Sequence, residues 1–209
     1  MRIDLFAYPI IQKQVPFNDL TDYVMNLVPK DSGVLKSNSG GWQSTEFNHP
    51  QPEFLELWRI IENELNLFHK DLSLKGEVMI GNLWFNVNWK GSSNRLHNHP
   101  GSLYSGVYYI KTPQNCGNIN FPNPNPMIDW VWPHTMREHS TATVSSMATM
   151  TSKKDTLYIF PSWLSHFVDT NHSHEPRISL SFNAVVVSRD NKNDPTLWSK
   201  EEWSKERGL

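Results

Sequence analysis

With one cysteine, Cys116, in 209 residues, the chain cannot close an internal disulfide, which excludes the small bridge-stapled scaffolds. No N-terminal segment runs from charged to apolar, and no apolar run approaches the roughly 20 residues of a membrane span, so a soluble, cytoplasmic protein is expected. Lysine and arginine (19) and aspartate and glutamate (21) are nearly balanced and scattered. The chain therefore offers no basic stripe for nucleic acid and no polybasic patch for a lipid surface, and neither partner is expected. Internal repeats and low-complexity tracts are missing as well. What is present is aromatic and loop-forming: nine Trp, ten Phe and six Tyr beside fourteen Pro, with many Asn and Ser. That mixture favours a β-rich body with long surface loops over a helical bundle. At this length one domain is the simplest organisation, residues 1–209, able to bury roughly 70% of its unfolded surface without staples.

Residues 2–15 hold a β-branched and aromatic stretch that Pro9 confines to a sheet edge, and such an edge makes a homodimer plausible. Asn18 or Asp19 can cap a short helix over 20–28. Residues 31–49 are rich in Ser, Gly and Asn and read as loop; in Gly40-Gly41-Trp42-Gln43-Ser44 an aromatic follows two permissive glycines, as a packed anchor or as part of a site wall. Phe54, Leu57, Trp58, Ile61, Leu65 and Phe68 recur every three or four residues, which predicts the main amphipathic helix over 51–71, with His69 placed to favour its C-terminal dipole. After Gly76 the period changes to two. Asn82, Trp84, Asn86 and Asn88 alternate with Leu83, Phe85, Val87 and Trp89, so this strand lines a polar cavity on one side and packs on the other. Further strands are expected at 103–111, 118–121, 141–151, 156–160, 166–169 and 177–188, and a short helix at 195–207. The pattern is a mainly β double-sheet jelly roll, or double-stranded β-helix, at about 77–188, with an N-terminal strand, helices and loop (1–76) whose helical region packs on one sheet.

The chain is organised around Arg95-Leu-His-Asn-His-Pro-Gly-Ser-Leu-Tyr-Ser-Gly-Val-Tyr-Tyr-Ile110. His97 and His99 stand two residues apart, and in extended backbone both project into one cavity. A surface loop with a Pro-Gly turn would look the same in isolation, but two other stretches add weight. Phe160-Pro-Ser-Trp-Leu-Ser-His166 carries a strand through a turn to a third histidine. In Arg177-Ile-Ser-Leu-Ser-Phe-Asn183, residues Arg177, Ser179, Ser181 and Asn183 share one strand face and Ile178, Leu180 and Phe182 the other. Four polar groups on one strand face need solvent or an anion. A guanidinium fork with a hydroxyl two residues on can bind a carboxylate through charge-assisted hydrogen bonds; an internal ion pair is its other common use.

As a set, His-x-His, a distal histidine and a following Arg-x-Ser resemble the Fe(II)- and 2-oxoglutarate-dependent oxygenases. More closely, His97-Asn-His-Pro-Gly-Ser, Ser105-Gly-Val-Tyr-Tyr, Phe160-Pro-Ser-Trp-Leu-Ser-His and Arg177-Ile-Ser-Leu-Ser-Phe-Asn look like the blocks of a 2-oxoglutarate/Fe(II) oxygenase family with bacterial and viral members. The resemblance runs over about residues 37–185. It implies His97, His99 and His166 as iron ligands, with Arg177 and Ser179 receiving the C5 carboxylate of 2-oxoglutarate. Tyr108 and Asn86 are candidates for the cavity wall beside the cosubstrate. The implied reaction consumes O2, releases succinate and CO2, and hydroxylates a small-molecule or peptide substrate. The usual triad of this class is two histidines and a carboxylate; here His99 stands at the carboxylate position, which leaves one more positive charge on the metal. Asp169 and Glu138 are other carboxylates, away from the expected spacing. Residues 122–140, with Trp130, Trp132, His134 and His139, form an irregular insert suited to a substrate lid or to a solvated loop with aromatic anchors.

Two other functions fit part of this pattern. A cupin-type three-histidine metalloenzyme would use the same imidazoles without 2-oxoglutarate, but Leu103 and Tyr104 stand where a cupin glutamate is usual, and Arg177 and Ser179 would have no task. A non-catalytic jelly roll keeping only a metal or carboxylate site is the other.

Overall fold

The computed structural model describes residues 8–131, 134–136, 138–139, 141, 144–188, 198–199 and 205. In chain order the strands are β1 (Ile11–Gln14), β2 (Asn38–Ser39), β3 (Trp42–Gln43), β4 (Glu77–Asn88), β5 (Ser93–His97), β6 (Tyr104–Lys111), β7 (Ile119–Pro122), β8 (Met147–Met150), β9 (Thr156–Pro161), β10 (His166–Val168), β11 (Arg177–Ser188) and β12 (Trp198–Ser199). The helices are α1 (Thr21–Leu27), α2 (Leu55–Asp71) and the single turn α3 (Ile128–Val131). One sheet runs β1-β9-β6-β11-β4-β3 with β12 beside β11, and the other runs β2-β5-β10-β7-β8. All pairings are antiparallel except β11 with β12. Val107, Tyr109, Tyr158 and Phe160 of the larger sheet pack against Ile119 and Phe121 of the smaller one, so the two sheets enclose a shared interior. This is the jelly-roll arrangement that the short strands and their punctuation predict.

The long strands β4 and β11 form the spine, paired from Arg177 opposite Asn88 to Val187 opposite Glu77. Their alternation separates two environments. Leu83, Phe85, Val87, Ile178, Leu180 and Phe182 point away from the smaller sheet into the main core, all fully buried. Against them lies the apolar stripe of α2, Leu57, Trp58, Ile61, Leu65 and Phe68, with Val24 of α1. Burying such side chains contributes roughly 1.5–3 kcal/mol each. Two polar hooks fix the helix to the start of β4. The Asn66 side chain donates to the Val78 carbonyl and accepts from its N–H, both at 2.8 Å, and Glu62 accepts from the Ile80 N–H at 3.0 Å.

The opposite face carries successive cross-strand rows: Asn88 beside Arg177, then Gln43, Asn86, Ser179 and Tyr109, then Trp84, Ser181 and Val107, then Asn82, Asn183 and Ser105. Directly opposed residues share a face, so these rows pave the cavity floor from a deep end at Arg177 to an outer end at Asn183.

Several local expectations are modified. The main helix begins at Leu55, after a single 3-10 turn at Pro52–Phe54. Of the strand predicted over 141–151, Met147–Met150 is formed, residues 142–143 lying outside the described residues; of the stretch at 2–15, residues 2–7 lie outside them and Ile11–Gln14 forms an edge strand on β9. His69 is buried between two partners, its Nδ1 3.0 Å from the Tyr104 hydroxyl and its Nε2 2.8 Å from the Lys75 carbonyl, and so links α2 to β6 rather than facing an exposed dipole. The helix predicted over 195–207 lies outside the described residues except at Trp198–Ser199, a strand pair on β11, and at Lys205. No helix among the described residues is long and apolar enough to cross a membrane.

Candidate active site

His97 ends β5 and His166 opens β10, directly opposite each other in register. The Pro-Gly turn after His99 is held by the His99 N–H donating to the Ser162 carbonyl at 2.9 Å. These two ties bring three imidazoles together, with ligand nitrogens all within 4.8 Å of one another. The His97 Nδ1 lies 2.7 Å from the Arg95 carbonyl and the His166 Nδ1 3.0 Å from the Leu164 carbonyl. A carbonyl can only accept, so both Nδ1 atoms carry the proton and both Nε2 lone pairs are left to ligate, as in histidines whose far nitrogen is anchored behind a metal. The His99 and His166 Nε2 atoms are 3.4 Å apart. Metal–imidazole bonds of about 2.1 Å put adjacent ligand nitrogens about 3 Å apart, which fits.

Burial pulls the His97 imidazole below its ordinary pKa, opposed by its bond to the Arg95 carbonyl. Burial, with His97 and Lys36 nearby, lowers His99 to about 4; burial, with His97 and His99 nearby, lowers His166 to about 3. Neutral imidazoles at physiological pH are what a metal requires. Among the described residues no carboxylate joins the cluster. Asp169 is engaged elsewhere, accepting from the Asn120 side chain at 2.8 Å and the Asn118 N–H at 3.1 Å. Glu138 is exposed.

At the deep end of the same cavity Arg177 is almost wholly buried, 1% exposed. Its Nη1 donates to the carbonyls of Cys116 and Asp169, while its Nη2 is buried with no partner. Burial pulls its pKa down, opposed by Tyr109, Cys116 and Asp169, yet a guanidinium stays charged at neutral pH. A buried cation with an unused donor is costly unless an anion meets it. Ser179 adds a hydroxyl in the adjoining row, and burial pushes the Tyr109 phenol up to about 12, which keeps it a hydrogen-bond donor. The donor set fits a carboxylate.

Of the sequence-predicted residues, His97, His99, His166, Arg177, Ser179 and Asn86 line this inner cavity, of about 50 Å³. Asn86 donates to the Ser181 hydroxyl at 3.1 Å and has a buried Oδ1 without a partner. Tyr108 is not among them. It pairs with Leu180, on the core face, and its hydroxyl donates to Asp155 Oδ1 at 2.8 Å, with the Val15 carbonyl at 3.1 Å. The wall tyrosine is its neighbour Tyr109, opposite Ser179. Asn88, Asn94 and Trp84 complete the polar-aromatic wall, Trp84 with its ring centroid 5.8 Å from that of His99.

Beyond Trp84 the cavity widens into an outer cleft of about 470 Å³, which shares His97 and His99 with it. The Gly-Gly-Trp-Gln-Ser segment serves both ends of its expectation. Trp42 is a buried anchor donating to the Asp31 carbonyl at 2.9 Å, and Gln43 is cleft wall. Gly41, at φ +71°, lies so close to β4 that a Cβ would come within 2.8 Å of the Val87 carbonyl. In the insert, Trp130 is 82% exposed and His139 is exposed; Trp132 and the His134 side chain lie outside the described residues.

Two facing antiparallel sheets, one carrying a three-imidazole cluster that could hold a metal ion and the other a guanidinium with a buried unpaired donor, form a candidate non-haem metal centre in a jelly roll. Residues 82–183 match the family model described as "Putative 2OG-Fe(II) oxygenase", and over that span the chain is similar to this family of oxidoreductases, whose metal is Fe(II) and whose cosubstrate is 2-oxoglutarate. The same fold occurs in a Pseudomonas putida prolyl-4-hydroxylase (14% identity, TM-score 0.59, covering 85% of this chain and 93% of that one). It occurs also in the collagen prolyl hydroxylase of Paramecium bursaria Chlorella virus-1, solved with 2-oxoglutarate (16%, TM-score 0.54, 85% and 96%). A third example is HygX of Streptomyces hygroscopicus, solved with nickel, 2-oxoglutarate and hygromycin B (9%, TM-score 0.59, 87% and 85%). At these identities the likeness is one of fold. No curated protein sequence matches significantly.

Proposed function

We propose that the protein is a dioxygenase that couples oxidative decarboxylation of 2-oxoglutarate, giving succinate and CO2, to hydroxylation of a bound substrate. The observation that carries this reading is the unpaired Arg177 Nη2 in the same cavity as the three imidazoles. A metal site alone would not need it. His97, His99 and His166 would hold iron, and Arg177 with Ser179 and Tyr109 would hold the distal carboxylate of 2-oxoglutarate. Bound iron and 2-oxoglutarate supply the redox chemistry. The chain's own tasks are positional. The Arg95 and Leu164 carbonyls fix two imidazole tautomers, Asn86 and Ser181 orient groups along the floor, and Trp84, Phe160 and Tyr109 keep water from the interior.

The three neutral ligands also suit a cupin-type enzyme that ignores 2-oxoglutarate, and one experiment separates the two. Anaerobically iron-loaded protein is mixed with 2-oxoglutarate, exposed to air, and assayed for succinate, alongside His99→Ala and Arg177→Ala. Slow turnover in the wild type that is lost in both variants is expected. No succinate and no 2-oxoglutarate-dependent absorption change would overturn the oxygenase reading in favour of the cupin-type one.

A further inference from the structure

The outer cleft contains recognition groups that neither the metal nor 2-oxoglutarate uses. Register between β5 and β10 shifts, with His97 opposite His166 but Asn94 opposite Val168. Asn94 and His97 line the inner cavity although they are three residues apart, and the extra residue of this bulge turns Arg95 and Leu96 onto the cleft. Among the described residues the Arg95 guanidinium is tethered by one hydrogen bond, its Nη2 donating to the Lys36 carbonyl at 2.9 Å. One edge of an exposed guanidinium is thereby fixed and the rest of its fork is available, a pre-organised oxyanion receptor. Nearby, Lys36 pairs with Glu46. Among the described residues, two cations against one carboxylate leave one unit of positive charge on the cleft wall, which matches a carboxylate better than a phosphate carrying nearly two negative charges.

Gln43 supplies an independent observation. It is 3% exposed and its side chain lines the cleft. An amide on the cleft wall presents both a donor and an acceptor, which suits a ligand amide or hydroxyl. Trp84, on the same cleft and with its ring close to that of His99, provides an apolar surface for the bond to be oxidised.

We propose that the prime substrate is a small polar monocarboxylate, its carboxylate on Arg95 and an amide or hydroxyl of its body on Gln43. This rests on the oxygenase reading, since it seats the substrate beside the proposed iron ligands. The test is side-chain NMR of isotopically labelled, Zn(II)-loaded protein at saturating 2-oxoglutarate, following the Gln43 amide and the Arg95 Nε–H. The titrants are N-acetylglycine, its neutral amide N-acetylglycinamide, and methyl phosphate. N-acetylglycine is expected to shift both signals saturably and to bind about tenfold more tightly than either comparison compound, the worth of one charge-assisted contact. Arg95→Ala should abolish that preference, while Arg95→Lys, which keeps the charge without the fork, should restore part of it. Equal binding of acid and amide, tighter binding of phosphate, no binding of any probe, or an unchanged preference in Arg95→Ala would each overturn the proposal. The 2-oxoglutarate titration that precedes these probes has its own marker, the Arg177 Nε–H. If that signal does not respond, the oxygenase reading fails; if it responds and the cleft stays silent, only the substrate class fails.

Discussion

The two ends of the cavity are built by different means. The deep end stands on β4, β6 and β11, where Asn86, Ser179 and Tyr109 are held in one cross-strand row and Arg177 is buried. The outer end is assembled from a strand bulge, a two-residue strand and loop residues, with Arg95 exposed and Leu96 60% exposed. A cosubstrate of fixed structure calls for a rigid seat, whereas the part that differs between enzymes of one fold is carried on connections that can change without disturbing the spine.

The largest effect is expected at the junction of the two ends. His166→Ala should abolish stoichiometric metal binding, exceeding the roughly 10–100-fold cost of removing a group behind a ligand, as read by anaerobic Co(II) titration. Tight stoichiometric binding in that variant would dismiss the three-imidazole site. Next comes the deep end. Arg177→Met should raise the 2-oxoglutarate requirement about 10- to 100-fold, with metal binding retained, because charged hydrogen bonds of about 1.5–3 kcal/mol are lost. An unchanged KM for 2-oxoglutarate would place the cosubstrate elsewhere. A tyrosine pair then separates wall from core. Tyr109→Phe should weaken 2-oxoglutarate several-fold, whereas Tyr108→Phe should leave it bound normally and cost about 1 kcal/mol of stability through its bonds to Asp155 and Val15. The opposite assignment of the two effects would show that the face of β6 has been read wrongly. The smallest change belongs to the outer end, where Leu96→Ala should shift stability by less than about 0.5 kcal/mol in chemical denaturation. A loss of several kcal/mol there would erase the contrast between the ends.

The same contrast governs what the sequence discloses. β11 is predicted at 177–188 and occupies those residues, because its polar and apolar positions alternate from Arg177 to Ala184 and a β-branched run follows. α2 announces itself through its stripe, and the imidazole cluster through histidines placed where strands begin and end. Tyr108 and Tyr109 cannot be told apart from sequence because β6 is buried on both faces, from Tyr104 to Ile110, so consecutive aromatics carry no period-two signal, and a register shift near Ile110 moves the pairing by one. β2, β3 and β5 are short and polar, with no apolar alternation to reveal them. Their positions are dictated by the partners they join, which only the assembled sheet specifies.

The separation in sequence between the imidazoles has a consequence for how the molecule assembles. His99 and His166 are 67 residues apart, and the metal's donors come together only when β10 lies along β5 and Ser162 has accepted the His99 N–H. By contrast α2 and β4 are neighbours in sequence, joined by the Asn66 and Glu62 hooks across 12 and 18 residues. Short-range contacts close at lower entropic cost and sooner. In stopped-flow refolding with Co(II) present, helix signal and tryptophan burial should therefore precede the metal's visible absorption. The ion would then enter as a latch on a nearly finished barrel, and the timing of its capture would report when the smaller sheet has closed.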